Sequence, residues 1–122
     1  MKKFRPMMEE ALESTDSEIS AKLYEIKKMT SNLVDNYTQA FHGLVKFAEQ
    51  EPDTVRQMFL ELFAASAEGM EQKQAAVSEF LEKCHELLDR YFPGSYLYKN
   101  DMHSVTTYLF LYDPDHNYIF KS

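Results

Sequence analysis

Apolar positions recur at alternating steps of four and three residues through the first half of the chain. The stripe comprises Ile19, Leu23, Ile26, Thr30, Leu33, Tyr37, Ala40, Leu44 and Phe47. This spacing is typical of one helix face sustained over several turns, and no proline interrupts it. The sequence predicts one long helix over about residues 16–50, entered through a capping box of Thr15 and Glu18. Additional apolar residues widen the second half of the stripe, which favours packing in a bundle.

Three other segments show helical patterns. A short helix is predicted over residues 1–13, with Met7, Met8, Ala11 and Leu12 on its apolar side. Residues 52–65 begin with Pro52, a residue favoured in a first helical turn, and continue with apolar residues at helical spacing. Residues 70–92 form a fourth predicted helix, which Pro93 and Gly94 end. The predicted fold is therefore mainly α, with about four helices in a single domain, 1–122.

The last 28 residues are rich in aromatic side chains and are predicted to form a small α+β segment. Residues 105–112 have high β-propensity, and residues 113–117 have the composition of a turn. Two alternatives remain open here. One is a β-hairpin over about 103–120, and the other is a helix over 103–112 followed by one extended segment.

Charge and cysteine content narrow the function classes. The net charge of −7 and the scattered basic residues argue against direct binding to a nucleic-acid backbone, which needs clustered lysine and arginine. Cys84 is the only cysteine, so no intramolecular disulfide forms. No signal peptide and no membrane-spanning run occurs in the sequence. We therefore expect a cytoplasmic protein with no membrane interaction.

Candidate catalytic chemistry is sparse. His103, Asp113, Asp115 and His116 form the one grouping of potential metal ligands, and the competing interpretation is a polar turn. Cys84 lies on the apolar side of the fourth predicted helix, which favours a structural thiol over a nucleophile. No nucleotide-binding, hydrolase or metalloprotease motif occurs. The sequence predicts no enzyme, no cofactor and no metal, and a metal-dependent enzyme at His103, Asp113 and His116 is the weakest alternative.

Two groups of residues are candidates for contact with a partner. Glu79, Glu82, Glu86 and Asp89 recur at steps of three and four residues, which places an acidic stripe along one helix. This stripe either binds a basic partner or forms an ordinary solvated face. Among the C-terminal aromatics, Tyr108 and Tyr112 are the candidate contact residues. These aromatics either form a binding surface or pack on the helices. The long apolar stripe also leaves a homodimer open as an alternative to a monomer.

The order of several segments between about 41 and 122 carries a family resemblance. The segments are 41–44, 52–63, 99–105, 108–114 and 118–121. In this order they resemble the helical N-terminal regions of bacterial restriction-type proteins, including AAA-type GTPases of the methylation-dependent class. The resemblance implies a helix over 103–112 and a chain that continues into a following domain. The nuclease and nucleotide-binding residues of that class do not occur in this sequence.

These observations predict a non-catalytic interaction or specificity module, bacterial in origin and belonging to a defence or restriction system. Its partner would be another protein or a following domain of a longer chain. The alternative from a different class is a stand-alone acidic inhibitor that blocks a nucleic-acid enzyme by imitating phosphate charge.

Overall fold

The described part of the chain is a bundle of six α-helices. A computed structural model describes residues 4–30, 38–95 and 98–113. The helices are α1 (Phe4–Glu13), α2 (Ile19–Thr30), α3 (Thr38–Gln50), α4 (Pro52–Ala64), α5 (Met70–Tyr91) and α6 (Met102–Tyr112). No β-strand occurs within the described ranges. The prediction of about four helices with an α+β C-terminal segment is therefore wrong.

The predicted long helix over 16–50 is also wrong, because α2 and α3 pack against each other as an antiparallel pair. The Ser20 hydroxyl donates a hydrogen bond to the Val45 carbonyl at 3.1 Å, and Lys27 Nζ lies 3.4 Å from His42 Nδ1. In one straight helix, residues 20 and 45 would be roughly 37 Å apart. The apolar stripe marked the buried face correctly where the structure describes it, since Ile19, Leu23 and Ile26 of α2 and Ala40, Leu44 and Phe47 of α3 are buried. Periodicity reports which face is buried and carries no information on whether the chain folds back.

The start of α2 differs from the predicted capping box. The Thr15 and Ser17 hydroxyls hydrogen-bond to each other at 3.2 Å, and the Glu18 N–H donates to the backbone carbonyl of Thr15. The helix therefore begins at Ile19 after a short turn, without the reciprocal side-chain bonds between Thr15 and Glu18.

The helices predicted over 1–13, 52–65 and 70–92 are confirmed within a few residues by α1, α4 and α5. Helix α6 confirms the helical alternative for 103–112 and excludes the hairpin, although the extended segment near 118–120 lies outside the described residues. The Asp101 carboxylate accepts the Ser104 N–H at 2.8 Å, and the Ser104 hydroxyl accepts the Asp101 N–H at 3.1 Å. This capping box and the burial of Val105, Tyr108 and Leu109 outweigh the β-propensity of the segment.

Aromatic side chains from four helices meet at the centre of the core. Phe41, Phe59, Phe80 and Tyr108 are each at most 3% exposed, and the closest ring centroids, those of Phe59 and Phe80, lie 5.2 Å apart. Edge-to-face contacts of this kind add to the free energy gained by burial. The contact between Phe59 and Phe80 fixes α4 against α5.

A buried polar network joins α6 to α3. The Asn100 side-chain carbonyl accepts hydrogen bonds from the Tyr108 hydroxyl at 2.6 Å and from the Ser104 hydroxyl at 3.0 Å. Its side-chain amide donates to the Ala40 carbonyl at 3.1 Å. Because buried polar groups are costly when unsatisfied, this network determines where the start of α6 lies against α3.

Arg56 attaches α4 to the end of α1. Its guanidinium donates to the carbonyls of Leu12 at 3.2 Å and Ser14 at 2.9 Å, and it also bonds the carboxylates of Asp16 and Asp53. The carbonyls at a helix C-terminus lack partners within the helix, and a cation there is favoured by the helix dipole. This arrangement, here called the Arg56 clasp, closes one side of α4.

Candidate functional site

A cleft lies between α4 and α5, on the side of α4 that faces away from the Arg56 clasp. It encloses about 650 Å³. Its lining residues come from the two helices and are Asp53, Thr54, Gln57, Met58, Glu61, Leu62, Ala76, Glu79, Phe80, Glu82, Lys83 and Glu86. We call it the α4–α5 groove. A cleft of this volume is within the range of protein binding sites.

The groove has an apolar floor and acidic walls. Met58, Leu62 and Phe80 form the floor and are each at most 5% exposed. The α4 wall carries Asp53 and Glu61, and the α5 wall carries Glu79, Glu82 and Glu86. The small exposure of the floor leaves little room for a large apolar anchor.

Helical geometry explains why the three glutamates of α5 line one wall. Phe80, Cys84 and Leu87 face the core at steps of four and three residues. Glu79, Glu82 and Glu86 follow at steps of three and four, each one or two positions before a core residue, so they form a neighbouring row at the edge of the buried face. Successive carboxylates rise by about 4.5 Å and 6 Å along the helix axis.

Many charged side chains of the described surface are in ion pairs, whereas four of the five groove carboxylates are in none, as is also true of exposed Glu13, Glu18 and Glu68. Ion pairs elsewhere are Arg5 with Glu9, Lys22 with Glu10, Lys28 with Glu25, Lys46 with Glu49, Arg56 with Asp16, and Arg90 with Glu51. At the groove, only Asp53 has such a partner, in the Arg56 clasp.

The remaining groove carboxylates have no cationic partner. Glu61 accepts a hydrogen bond from the Gln57 amide at 3.0 Å. In the part of the chain that the structure describes, Glu79, Glu82 and Glu86 form neither ion pairs nor side-chain hydrogen bonds. Lys83 is the one cationic side chain in the lining. Negative charge is therefore concentrated on this face and is not neutralised by the fold itself.

The other predicted contact residues do not belong to this groove. Asp89 lines a separate cleft of about 260 Å³ together with His85, Ser95 and Lys99. Tyr108 has no exposed surface and donates its hydroxyl proton to Asn100, so it packs in the core.

Tyr112 lies at a third location, between α1 and α4. Its ring stacks on Phe63 with centroids 3.9 Å apart, and the Arg5 guanidinium lies 4.6 Å from its centroid. Partial burial raises the pKa of the Tyr112 hydroxyl. Tyr112 is therefore a partly buried packing residue at the junction of three helices.

The predicted metal ligands are not brought together within the described residues. His103 lies in the first turn of α6 and Asp113 follows its last residue, which places them roughly 15 Å apart along the helix. The Asp113 carboxylate is buried and accepts a hydrogen bond from the Ser66 hydroxyl at 3.4 Å. Asp115 and His116 lie outside the described residues. No group of three potential ligands occurs in the ranges that the structure covers.

Cys84 lies in the core between α5 and its neighbours and is 1% exposed. Burial raises the pKa of its thiol well above the ordinary value, which keeps the sulfur protonated and poorly nucleophilic. The structure therefore supports the interpretation of Cys84 as a packing residue.

Two residues of the acidic walls, Asp53 and Glu61, did not stand out in the sequence. Each lies on the polar side of the predicted helix over 52–65, and that was the only available signal. Their importance depends on the pairing of α4 with α5, which the periodicity of either helix does not specify.

Comparison with family models, with curated proteins and with solved structures finds no match to this chain. None of the described helices combines the length and the apolar character that a bilayer crossing requires.

Proposed function

We propose that this chain is a non-catalytic protein-interaction module and that the α4–α5 groove is its binding face. The observation that carries the proposal is the row of unpaired carboxylates above an apolar floor. Neighbouring like charges on a helix destabilise it slightly, and Lys83 is the one cation beside Glu79, Glu82 and Glu86 in the lining. A partner that supplies cations forms favourable charge pairs with these three carboxylates, and we propose this pairing as the function of the row.

The composition of the lining supports binding over catalysis. The described groove lining contains no histidine, cysteine or serine, so none of its carboxylates has a histidine or thiol partner for acid–base or nucleophilic chemistry. The hydroxyl of Thr54 donates to the Glu51 carboxylate at 2.8 Å and is directed to the end of α3.

The resemblance to helical regions of bacterial restriction-type proteins remains a prediction. It supports a place for the module in a defence system, where the occupant of the groove would be a separate protein or a following domain. Both occupants would be recognised by the same acidic walls. In the experiment below, a separate protein gives a crosslink between two chains, and a following domain gives a crosslink within the longer chain.

Site-specific photo-crosslinking in the cells that express the protein tests the proposal. A photoreactive amino acid in place of Gln57 lies in the groove, and the same group in place of Gln39, an exposed residue of α3, is the matched control. We expect a crosslinked protein from position 57 that is absent from position 39 and that is lost in the E79Q/E82Q/E86Q variant. Identical crosslinks from both positions, or none from position 57, would overturn the proposal.

The acidic inhibitor is the second candidate, and the unpaired carboxylates favour it as well. An inhibitor of this kind occupies the nucleic-acid site of an enzyme by presenting charges where phosphates bind. It predicts that the protein crosslinked from position 57 is a nucleic-acid enzyme. The activity of that enzyme should fall when the wild-type chain is added and should stay unchanged when the E79Q/E82Q/E86Q variant is added instead. Unchanged activity with the wild-type chain would eliminate this candidate.

A further inference from the structure

The dimensions of the α4–α5 groove restrict what enters it. The lining extends from Asp53 to Leu62 on α4 and from Ala76 to Glu86 on α5, which corresponds to roughly 13–15 Å at the helical rise. The groove is therefore about as long as two to three turns of a partner helix that lies along α5.

The chemistry of the groove selects the side chains that enter. Five carboxylates and the ammonium of Lys83 line it, a formal net charge of −4 before Arg56 is counted. The floor beneath them is apolar but almost closed. Arginine and lysine match both features, because their methylene stems lie along apolar surface while their charged ends remain at a polar rim.

The spacing of the carboxylates indicates the secondary structure of the partner. Glu79, Glu82 and Glu86 are separated by three and four residues, so their axial separations are about 4.5 Å and 6 Å. A helix with cations at i, i+3 and i+7 has the same separations. An extended strand, by contrast, repeats its same-face side chains about every 6.6 Å and loses register with the row.

We propose that the groove binds the cationic face of a partner α-helix, with arginine or lysine at i, i+3 and i+7 inserted between the acidic walls. The inference rests on the proposed function and names its partner class. The partner helix lies along α5, and its cations pair with Glu79, Glu82 and Glu86. The carboxylate of Glu61 contributes from the opposite wall.

Fluorescence anisotropy with synthetic helices tests this inference. The probe is an alanine–glutamine helix of about 20 residues, long enough to be helical in water, with arginine at i, i+3 and i+7. The matched probe has the same composition with its arginines distributed around the helix. Each is titrated with the full wild-type chain, with E79Q/E82Q/E86Q, and with E13Q/E18Q/E68Q, which removes the same charge from exposed positions outside the groove.

The expected result is tighter binding of the one-faced helix than of the distributed helix, by about tenfold or more, with loss of that preference only in E79Q/E82Q/E86Q. The affinity should fall as salt is raised, because the pairs are near the surface. Equal binding of the two probes, or equal loss in both triple variants, would show nonspecific charge attraction and would overturn the inference.

Two further outcomes separate this inference from the proposed function. If position 57 crosslinks a protein whose crosslinked segment is not a basic helix, the partner class is wrong and the binding face stands. If the wild-type chain associates with itself in light scattering and E79Q/E82Q/E86Q does not, a second copy of this chain is the occupant. That result would overturn the assignment to a basic partner helix.

Discussion

Charged side chains on one side of α4 are held in ion pairs and hydrogen bonds, whereas those on the other side line an open, acidic cleft. On one side, Arg56 is 18% exposed and bonds two carbonyls and two carboxylates, so that α1 and α4 are joined. On the other side, Glu61 and the glutamate row of α5 surround a cleft in which Lys83 is the one cationic lining residue, so the negative charge is in excess. Helix α4 therefore packs tightly against the end of α1 on one side and lines the open α4–α5 groove on the other.

This difference separates charges that stabilise the fold from charges that the fold tolerates. An arginine that satisfies the carbonyls at a helix end replaces hydrogen bonds to water and neutralises carboxylates nearby. A row of like charges on one helix lowers stability slightly and gains from an external cation. Removing charge should consequently have opposite effects on stability in the two regions.

The largest effect is expected for Arg56→Ala. The variant loses the bonds to Leu12, Ser14 and Asp16, and we expect the free energy of unfolding to fall by about 2–3 kcal/mol, a range that allows for partial solvent screening. Urea denaturation followed by circular dichroism measures it. Arg56→Lys, which keeps the charge and loses the planar fork, should be intermediate. An unchanged midpoint for Arg56→Ala would show that the clasp does not hold α1.

A smaller loss, about 1–2 kcal/mol, is expected for Tyr108→Phe. Its hydroxyl donates to the buried Asn100 carbonyl at 2.6 Å, and removal of one partner leaves a buried acceptor less well satisfied. Tyr112→Phe is the control, because its hydroxyl lies 3.4 Å from Glu9 at the surface. Thermal unfolding of both variants compares them. A greater loss for Tyr112→Phe would contradict the assignment of Tyr108 to the core and Tyr112 to its edge.

The groove variant E79Q/E82Q/E86Q should unfold at a slightly higher temperature than the wild type. Relief of like-charge repulsion contributes about 0.5 kcal/mol in total, and the difference should decrease as salt is added. Calorimetry at low and high ionic strength measures it. A destabilised triple variant would mean that these glutamates stabilise the fold, and the contrast between the two sides of α4 would then fail.

The smallest effect concerns pH and the contact between α2 and α3. Partial burial, together with Lys27 and Lys46, lowers the pKa of His42 below its ordinary value of 6.5, while Glu49 opposes the shift. Because the unfolded chain then binds the proton more readily, this contribution to stability is complete above pH 6.5 and is lost as the pH falls below it.

The His42→Gln variant isolates this contribution. We expect its unfolding midpoint to decrease less than that of the wild type between pH 7.5 and pH 5. His85→Gln, which removes an exposed histidine of α5, should follow the wild type. Parallel pH profiles for the wild type and His42→Gln would show that the histidine does not couple to folding.

The sequence alone determined the buried faces and most helix ends. The positions of Phe59 and Phe80 followed from helical periodicity, and Pro52 and Pro93 marked a beginning and an end, because these signals act within a few residues. The acidic row at Glu79, Glu82 and Glu86 was likewise evident from spacing along one helix.

Tertiary structure decided what these local signals leave open. It placed α3 back against α2, made residues 102–112 helical despite their β-propensity, and put Tyr108 in the core. It also placed Glu61 of α4 and three glutamates of α5 around one cleft with an apolar floor. The physical reason is that a pattern along one helix specifies which side is buried, whereas the neighbour it is buried against depends on the packing of all the helices together.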